Sequence, residues 1–138
     1  MTPVERLESA LRDPKASTAL VAYLTGGWPT REGFSTLLHA VAEVADAVEI
    51  GVPFSDPMAD GPTIQQTSQE ALAQGVSLEW ILETLTAMPT PPAAPLLLMG
   101  YLNPFLAFGL DRLGEQAAAA GVSAFIVPDL PLDEAADF

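Results

Sequence analysis

Val48-Glu49-Ile50-Gly51-Val52-Pro53-Phe54-Ser55-Asp56-Pro57-Met58-Ala59-Asp60-Gly61 sets one carboxylate inside a short apolar run and two more in the segment behind it. Ala47 to Ile50, ended by Gly51, has the pattern of a strand buried on both faces in a parallel sheet. Glu49 is the exception in it. A carboxylate withdrawn from water without a partner is costly, and a raised pKa is its usual escape, which lets it give and take a proton near neutrality. The other reading is that Glu49 points out of the sheet to a Lys or Arg and has only a structural role. The loop weighs toward chemistry. Pro53, Pro57 and Pro62 stiffen it while Gly51 and Gly61 let it turn, so Asp56 and Asp60 sit on a shaped segment. Such a loop, at the carboxyl end of a parallel strand, is where α/β folds carry function.

Outward from this stretch the chain alternates strands and helices. Thr2 caps a predicted first helix with Pro3 at its first position, Glu5 in its first turn and Val4, Leu7 and Leu11 on one face. Ala19 to Thr25 reads as the first strand, and Thr30 as the cap of a helix running to about Val44. Gly26-Gly27 is no phosphate fingerprint, since no G-x-G-x-x-G follows. His39, the only histidine, reads as a surface or boundary residue. After the Glu49 strand, Thr63 to Gln74 is a short polar helix ended by Gly75, and Ser77 caps a second one carrying Leu78, Ile81, Leu82 and Leu85. Pro95 to Gly100 is the third strand, with Tyr101-Leu102-Asn103-Pro104 opening its loop. Leu106 to Ala120 reads as helical, broken at Gly109 and recapped by Asp111. Ala124 to Val127 is the fourth strand, and Leu132 to Asp137 looks like the start of its helix.

Four strands, each followed by a helix, predict an α/β chain whose architecture is the first four units of a (β/α)₈ TIM barrel, a half barrel. Residues 1–138 then form the N-terminal half of one domain, because a complete barrel needs about 250 residues. The hydrophobic fraction of 49% and mean hydropathy of +0.30 suit strands buried on both faces. Residues such as Leu20, Val48, Leu97 and Ile126 are expected to face inward.

Five Lys and Arg against eighteen Asp and Glu give a net charge of −13, which repels a phosphate backbone and excludes nucleic acid and anionic membranes as partners. The chain has no cysteine, hence no disulfide, thiolate metal site or cysteine nucleophile. Met1 to Arg6 has neither a basic n-region nor an apolar h-region, and no run approaches membrane-spanning length, so the expected location is cytoplasmic.

The quoted stretch resembles the signature of the tryptophan synthase alpha subunit through Glu49, Gly51, Phe54, Ser55, Asp56, Pro57, Asp60 and Gly61. Leu24-Thr25-Gly26-Gly27-Trp28-Pro29, Met99-Gly100-Tyr101-Leu102-Asn103-Pro104 and Val127-Pro128-Asp129-Leu130-Pro131 resemble the family's other strand ends, in the family's order. The resemblance covers the whole chain but only about the first half of the family. It implies a lyase that splits indole-3-glycerol phosphate into indole and glyceraldehyde 3-phosphate, a retro-aldol step without metal or organic cofactor. It further implies Glu49 as general acid/base and Asp60 as acceptor of the indole N–H. Tyr23, Met99, Tyr101, Ile126, Pro128 and Asp129 would line the substrate pocket. For the apolar and aromatic ones, barrel-core packing explains the same residue types, and Asp129 could equally hold a loop by accepting backbone N–H groups. A pyridoxal-phosphate-dependent beta subunit is the implied partner, in an alpha2-beta2 heterotetramer. Pro53, Asp56, Pro57, Asn103, Phe105 and Pro131 match the docking surface. The phosphate cradle and lid of such barrels lie in later loops, which makes an inactive fragment the second reading and an unrelated barrel lyase or isomerase the third.

Overall fold

The structure is a computed structural model and describes residues 1–138. Strands β1 (Val21–Thr25), β2 (Ala47–Gly51), β3 (Leu96–Met99) and β4 (Val122–Ile126) form one parallel sheet in the order β1-β2-β3-β4. Between them run α2 (Phe34–Val44), α3 (Pro62–Ala73), α4 (Leu78–Thr86), α5 (Leu102–Phe108) and α6 (Leu110–Ala119), while α1 (Pro3–Arg12) precedes β1. Sequential parallel strands joined through helices are the predicted half barrel.

Direct register lays out the faces of the sheet. Tyr23, Glu49, Leu97 and Ala124 make one row across it, and Thr25, Gly51, Met99 and Ile126 make the next row toward its carboxyl end. A bulge between Leu96 and Leu97 shifts the β4 register so that the rows stay in line. Ala22, Leu24, Val48, Ile50, Leu96 and Leu98 point the other way, into a core with Phe34 and Leu38 of α2, Ile81 and Leu82 of α4, Phe105 of α5 and Leu113 of α6. Val48, expected on the inward face, is thus 0% exposed beneath the helices. Side chains alternate along a strand, so seating Glu49 on one face puts Val48 on the other. Leu20 is half exposed ahead of β1, whereas Leu97 and Ile126 do lie partly buried on the inward face.

Several helix boundaries differ from the sequence reading. Thr30 caps a turn, its Oγ1 accepting from the Gly33 N–H at 3.0 Å, and α2 starts only at Phe34. Leu102 to Phe108 is helical rather than loop, because Tyr101 takes extended backbone at its N-cap and Pro104 fits a first turn. Gly109, at φ +95°, separates α5 from α6, and Asp111 lies in the first turn of α6 without capping it. The segment after Pro131 makes only a single 3-10 turn, Leu132–Glu134.

Two clasps hold the amino end of the sheet. Thr2 and Glu5 form a capping box on α1, and Arg6 Nη2 donates to the Pro92 and Ala93 carbonyls, both at 2.9 Å, fastening α1 beside the entry to β3. The Asp46 carboxylate accepts from the Lys15 and Leu20 amides, both at 2.8 Å, which holds its pKa low. The Lys15 ammonium in turn donates to the Ala42, Glu43 and Ala45 carbonyls at the end of α2.

The outer edges of β1 and β4 are unpaired within these 138 residues and the inward face is only partly covered, with Val21 45% exposed on β1. Unpaired strand edges beside apolar surface template pairing with another chain. We predict that the 138-residue polypeptide expressed by itself self-associates, the more so with added salt, which screens its charge within about 8–10 Å. Light scattering checks this. A mass fixed at 14.5 kDa across concentration and salt would show that the open face is tolerated in water.

Candidate active site at the carboxyl end of the sheet

Glu49 stands on the inward face, half-buried, directly in register with Tyr23 on one side and Leu97 on the other. No group of the chain donates a hydrogen bond to its carboxylate, and the ion pairs present join Arg12 to Glu8 and Arg112 to Glu79. The reading of Glu49 as a partner of a surface cation is therefore not what the fold builds. Burial first, and the charge of Asp60 second, raise its pKa.

Asp60 comes from the loop between β2 and α3, and that loop is pinned. Its main chain closes on itself through Met58 N–H to the Asp56 carbonyl at 2.9 Å and Asp60 N–H to the Pro57 carbonyl at 3.1 Å. Gln65 Nε2 donates to the Asp60 carbonyl at 2.8 Å. Tyr101, buried just past β3, holds the middle: its hydroxyl accepts from the Ala59 N–H at 2.8 Å and its ring stacks on Phe54 with centroids 5.3 Å apart. Burial raises the Tyr101 pKa, and the nearby charges of Asp60 and Asp129 add to the effect. Asp129 lies exposed on the loop after β4, where its Oδ1 accepts from the Leu102 N–H at 2.9 Å and so holds the start of α5. Of the two roles open to Asp129, anchoring a loop is the one its geometry displays.

Met99 and Ile126 are register partners on the inward face, partly buried, one row beyond Glu49. Tyr23 leans along its strand over Gly51. A Cβ at position 51 would collide with the Tyr23 hydroxyl, which is why this strand ends in glycine. Glu49, Asp60, Tyr23, Tyr101, Met99 and Ile126 thus gather at one end of one face. Pro128 is exposed beside Asp129.

The residues matched to a docking surface do not all lie where a partner could touch them. Asp56, Asn103 and Pro131 are exposed and Pro57 is half-buried, but Pro53 is buried and Phe105 is 0% exposed. Phe105 packs edge-on against Phe125 at 5.6 Å and beneath Gly100. It is on the buried side of α5, whereas Asn103 is exposed.

Two hydroxyls that the sequence did not single out complete the geometry. Thr25 Oγ1 lies 3.2 Å from the Tyr23 hydroxyl and 2.7 Å from Thr67 Oγ1 on α3. They border a cavity of about 210 Å³ that also touches Tyr23, Trp28, Thr63 and Ile64. A threonine closing an otherwise apolar strand was the available signal for Thr25; for Thr67, on a polar helix, the sequence carried none.

The model of the family described as tryptophan synthase alpha chain matches residues 10–138. The tryptophan synthase alpha chain of Nitratidesulfovibrio vulgaris is 51% identical over 135 residues, covering 96% of this chain and 52% of its own. That of Geobacter sulfurreducens is 50% identical over 121 residues, covering 87% and 46%. Among solved structures, tryptophan synthase subunit alpha from Legionella pneumophila superposes with a TM-score of 0.86 at 38% identity, over 96% of this chain and 52% of that one. A chain of the tryptophan synthase a2b2 complex from Pyrococcus furiosus gives 0.80 at 38% identity, over 87% and 48%. The chain spans about half the length of these relatives.

Tyr101→Phe keeps the ring on Phe54 and deletes the hydroxyl that accepts from Ala59 and acts on Asp60. We predict that amide exchange at Ala59 accelerates several-fold, as the loss of a hydrogen bond of about 1 kcal/mol requires. Unchanged protection at Ala59 would mean that the prolines alone fix the loop.

Proposed function

Since the chain belongs to the tryptophan synthase alpha chain family, we propose that its site serves the lyase reaction that splits indole-3-glycerol phosphate into indole and glyceraldehyde 3-phosphate in tryptophan biosynthesis. The observation that carries the proposal is the half-buried Glu49, unpartnered and held toward its acid form, with the Asp60 carboxylate on the rim above it.

The cleavage needs a proton on the indole carbon that bears the glycerol side chain. Glu49 in its acid form delivers it, and positive charge builds on the ring nitrogen. Asp60 accepts the N–H and offsets that charge from a fixed position, the kind of electrostatic preorganisation that contributes most in such steps. The carbon–carbon bond then breaks with its electron pair returning to the ring. The side-chain hydroxyl becomes the aldehyde, and its proton goes back to the Glu49 carboxylate, so the enzyme ends as it began. Tyr23, Met99, Tyr101 and Ile126 wall the indole, and Asp129 steadies Tyr101 from behind by holding Leu102.

The exposed Asp56, Asn103 and Pro131 with Pro57 are proposed to meet a beta subunit in an alpha2-beta2 assembly, a reading supported by the a2b2 complex of the Pyrococcus furiosus relative. No helix is long and apolar enough to cross a membrane; the cytoplasm is the location we propose for the reaction. The second reading, that these 138 residues alone bind substrate too weakly to turn it over, is favoured by their spanning half the relatives' length. An indole-release assay on the isolated polypeptide separates the two.

In the full protein that carries this sequence, Glu49→Gln is expected to lower indole release by roughly 10²–10⁴-fold while leaving substrate affinity nearly intact, since the amide keeps the shape and cannot deliver the proton. Near wild-type turnover would remove Glu49 from the chemistry.

Asp60→Asn should slow turnover and also move the alkaline limb of kcat to lower pH. The sign follows from the charges. The rate falls as Glu49 loses its proton, the Asp60 charge raises the Glu49 pKa, and removing that charge lets Glu49 deprotonate earlier. A pH–rate profile with an unmoved limb would show that the two carboxylates do not sense each other.

A further inference from the structure

The three hydroxyl contacts behind Tyr23 can be made together in only one arrangement of protons. A backbone carbonyl can only accept, so Thr67 Oγ1, 3.0 Å from the Ile64 carbonyl, spends its single proton there. In the 2.7 Å contact with Thr25, Thr67 is then the acceptor and Thr25 the donor. Having spent its own proton on Thr67, Thr25 accepts in the 3.2 Å contact with Tyr23, and the phenol must donate. The chain of donation runs Tyr23 to Thr25 to Thr67 to the Ile64 carbonyl. Its end is a main-chain group of α3, which no side-chain rotation can reverse.

We propose that Thr67, acting through Thr25, is a positioning residue that holds the Tyr23 phenol proton on Thr25, so that the phenol offers the inward side of the sheet a lone pair rather than a proton. This side of the site then admits a ligand with an N–H or O–H group at that point and disfavours one presenting an anion or a bare acceptor. The groups acting on the phenol are Glu49 of β2, Asp60 of the following loop and Tyr101 beyond β3. The Asp60 carboxylate and the Tyr23 oxygen both accept, so this side of the site selects a ligand that donates. The selectivity deepens the lyase reading and rests on it for where the ligand lies. The proton arrangement does not.

The test reads the pH titration of the Glu49 carboxyl carbon by NMR in the full protein that carries this sequence, without substrate. In Thr67→Val, Thr25 loses its acceptor and turns its proton to Tyr23, whose own proton is released from Thr25 and turns to the inward side of the sheet. A phenol dipole turned with its proton toward the site favours the charged form of the neighbouring carboxyl, so the Glu49 midpoint should fall. Thr67→Ser restores the relay and should titrate as the wild type. Thr25→Val removes the phenol's acceptor directly, should shift Glu49 the same way, and serves if Thr67→Val folds poorly. In a Tyr23→Phe background neither substitution should move Glu49. Equal midpoints in the wild type and both valine variants, a shift in Thr67→Ser, or a shift that persists without the phenol would each overturn the assignment. If the midpoints move as stated but no indole is released from indole-3-glycerol phosphate, the relay stands and the reaction assignment falls.

Discussion

The alternation of side chains along β2 is the constraint from which the site follows. Val48 and Ile50 are 0% exposed beneath the helices, so Glu49, between them, has to face the other way. A one-residue slip would bring two large aliphatic side chains out of the core, at about 1.5–3 kcal/mol each. It would also drive a carboxylate into the helix layer, at several kcal/mol more. The core therefore fixes the direction of Glu49, and no contact made by the carboxylate itself is needed. That leaves the carboxylate free of internal hydrogen-bond partners.

Parallel register carries the constraint across the sheet. Tyr23 is set beside Glu49 by pairing alone, and because position 51 has no Cβ the Tyr23 ring can lie over the strand end. The loop that brings Asp60 back is then fastened from β3, through Tyr101, rather than from its own strand. Asp129 extends the same logic by one more strand, holding the amino end of α5 and with it the backbone next to Tyr101. Each strand end is thus steadied by the next in order, and a change at β4 has a physical route to Asp60.

What the sequence revealed and what it hid divide along this line. Glu49 and Asp60 were legible because a carboxylate in an apolar run and a loop stiffened by prolines are local features. The four strands were legible because each is a short apolar run bounded by Gly or Pro. Val48 faces the helices rather than the barrel interior because it alternates with Glu49, and apolar content on both faces of a parallel strand does not by itself say which side is inward. The resemblance puts Phe105 on a docking surface, whereas its packing under Gly100 and against Phe125 turns it to the buried side of a helix that the Asn103-Pro104 pair does not signal. Thr25 and Thr67 are forty-two positions apart, and hydrogen bonds between distant residues leave no mark on a single sequence.

The charges of the chain say which part of the proposed substrate this region can recognise. Its five cations are all committed away from the inward face. Arg6 holds the carbonyls before β3, Arg12 and Arg112 pair with Glu8 and Glu79, Lys15 closes α2, and Arg31 lies over the Trp80 ring while bonding the Gln74 carbonyl. What remains around Glu49 is Asp60 and the oxygens of two tyrosines, a setting that repels an anion and favours a cation developing on a ring. A phosphate held close to this face would raise the Glu49 pKa further by like-charge repulsion and weaken its own binding. The proton chemistry and the phosphate therefore need to be kept apart in space. For a substrate such as indole-3-glycerol phosphate, the indole belongs against β1 to β4, and the phosphate has to be met by cations or backbone amides that these residues do not bring to the site.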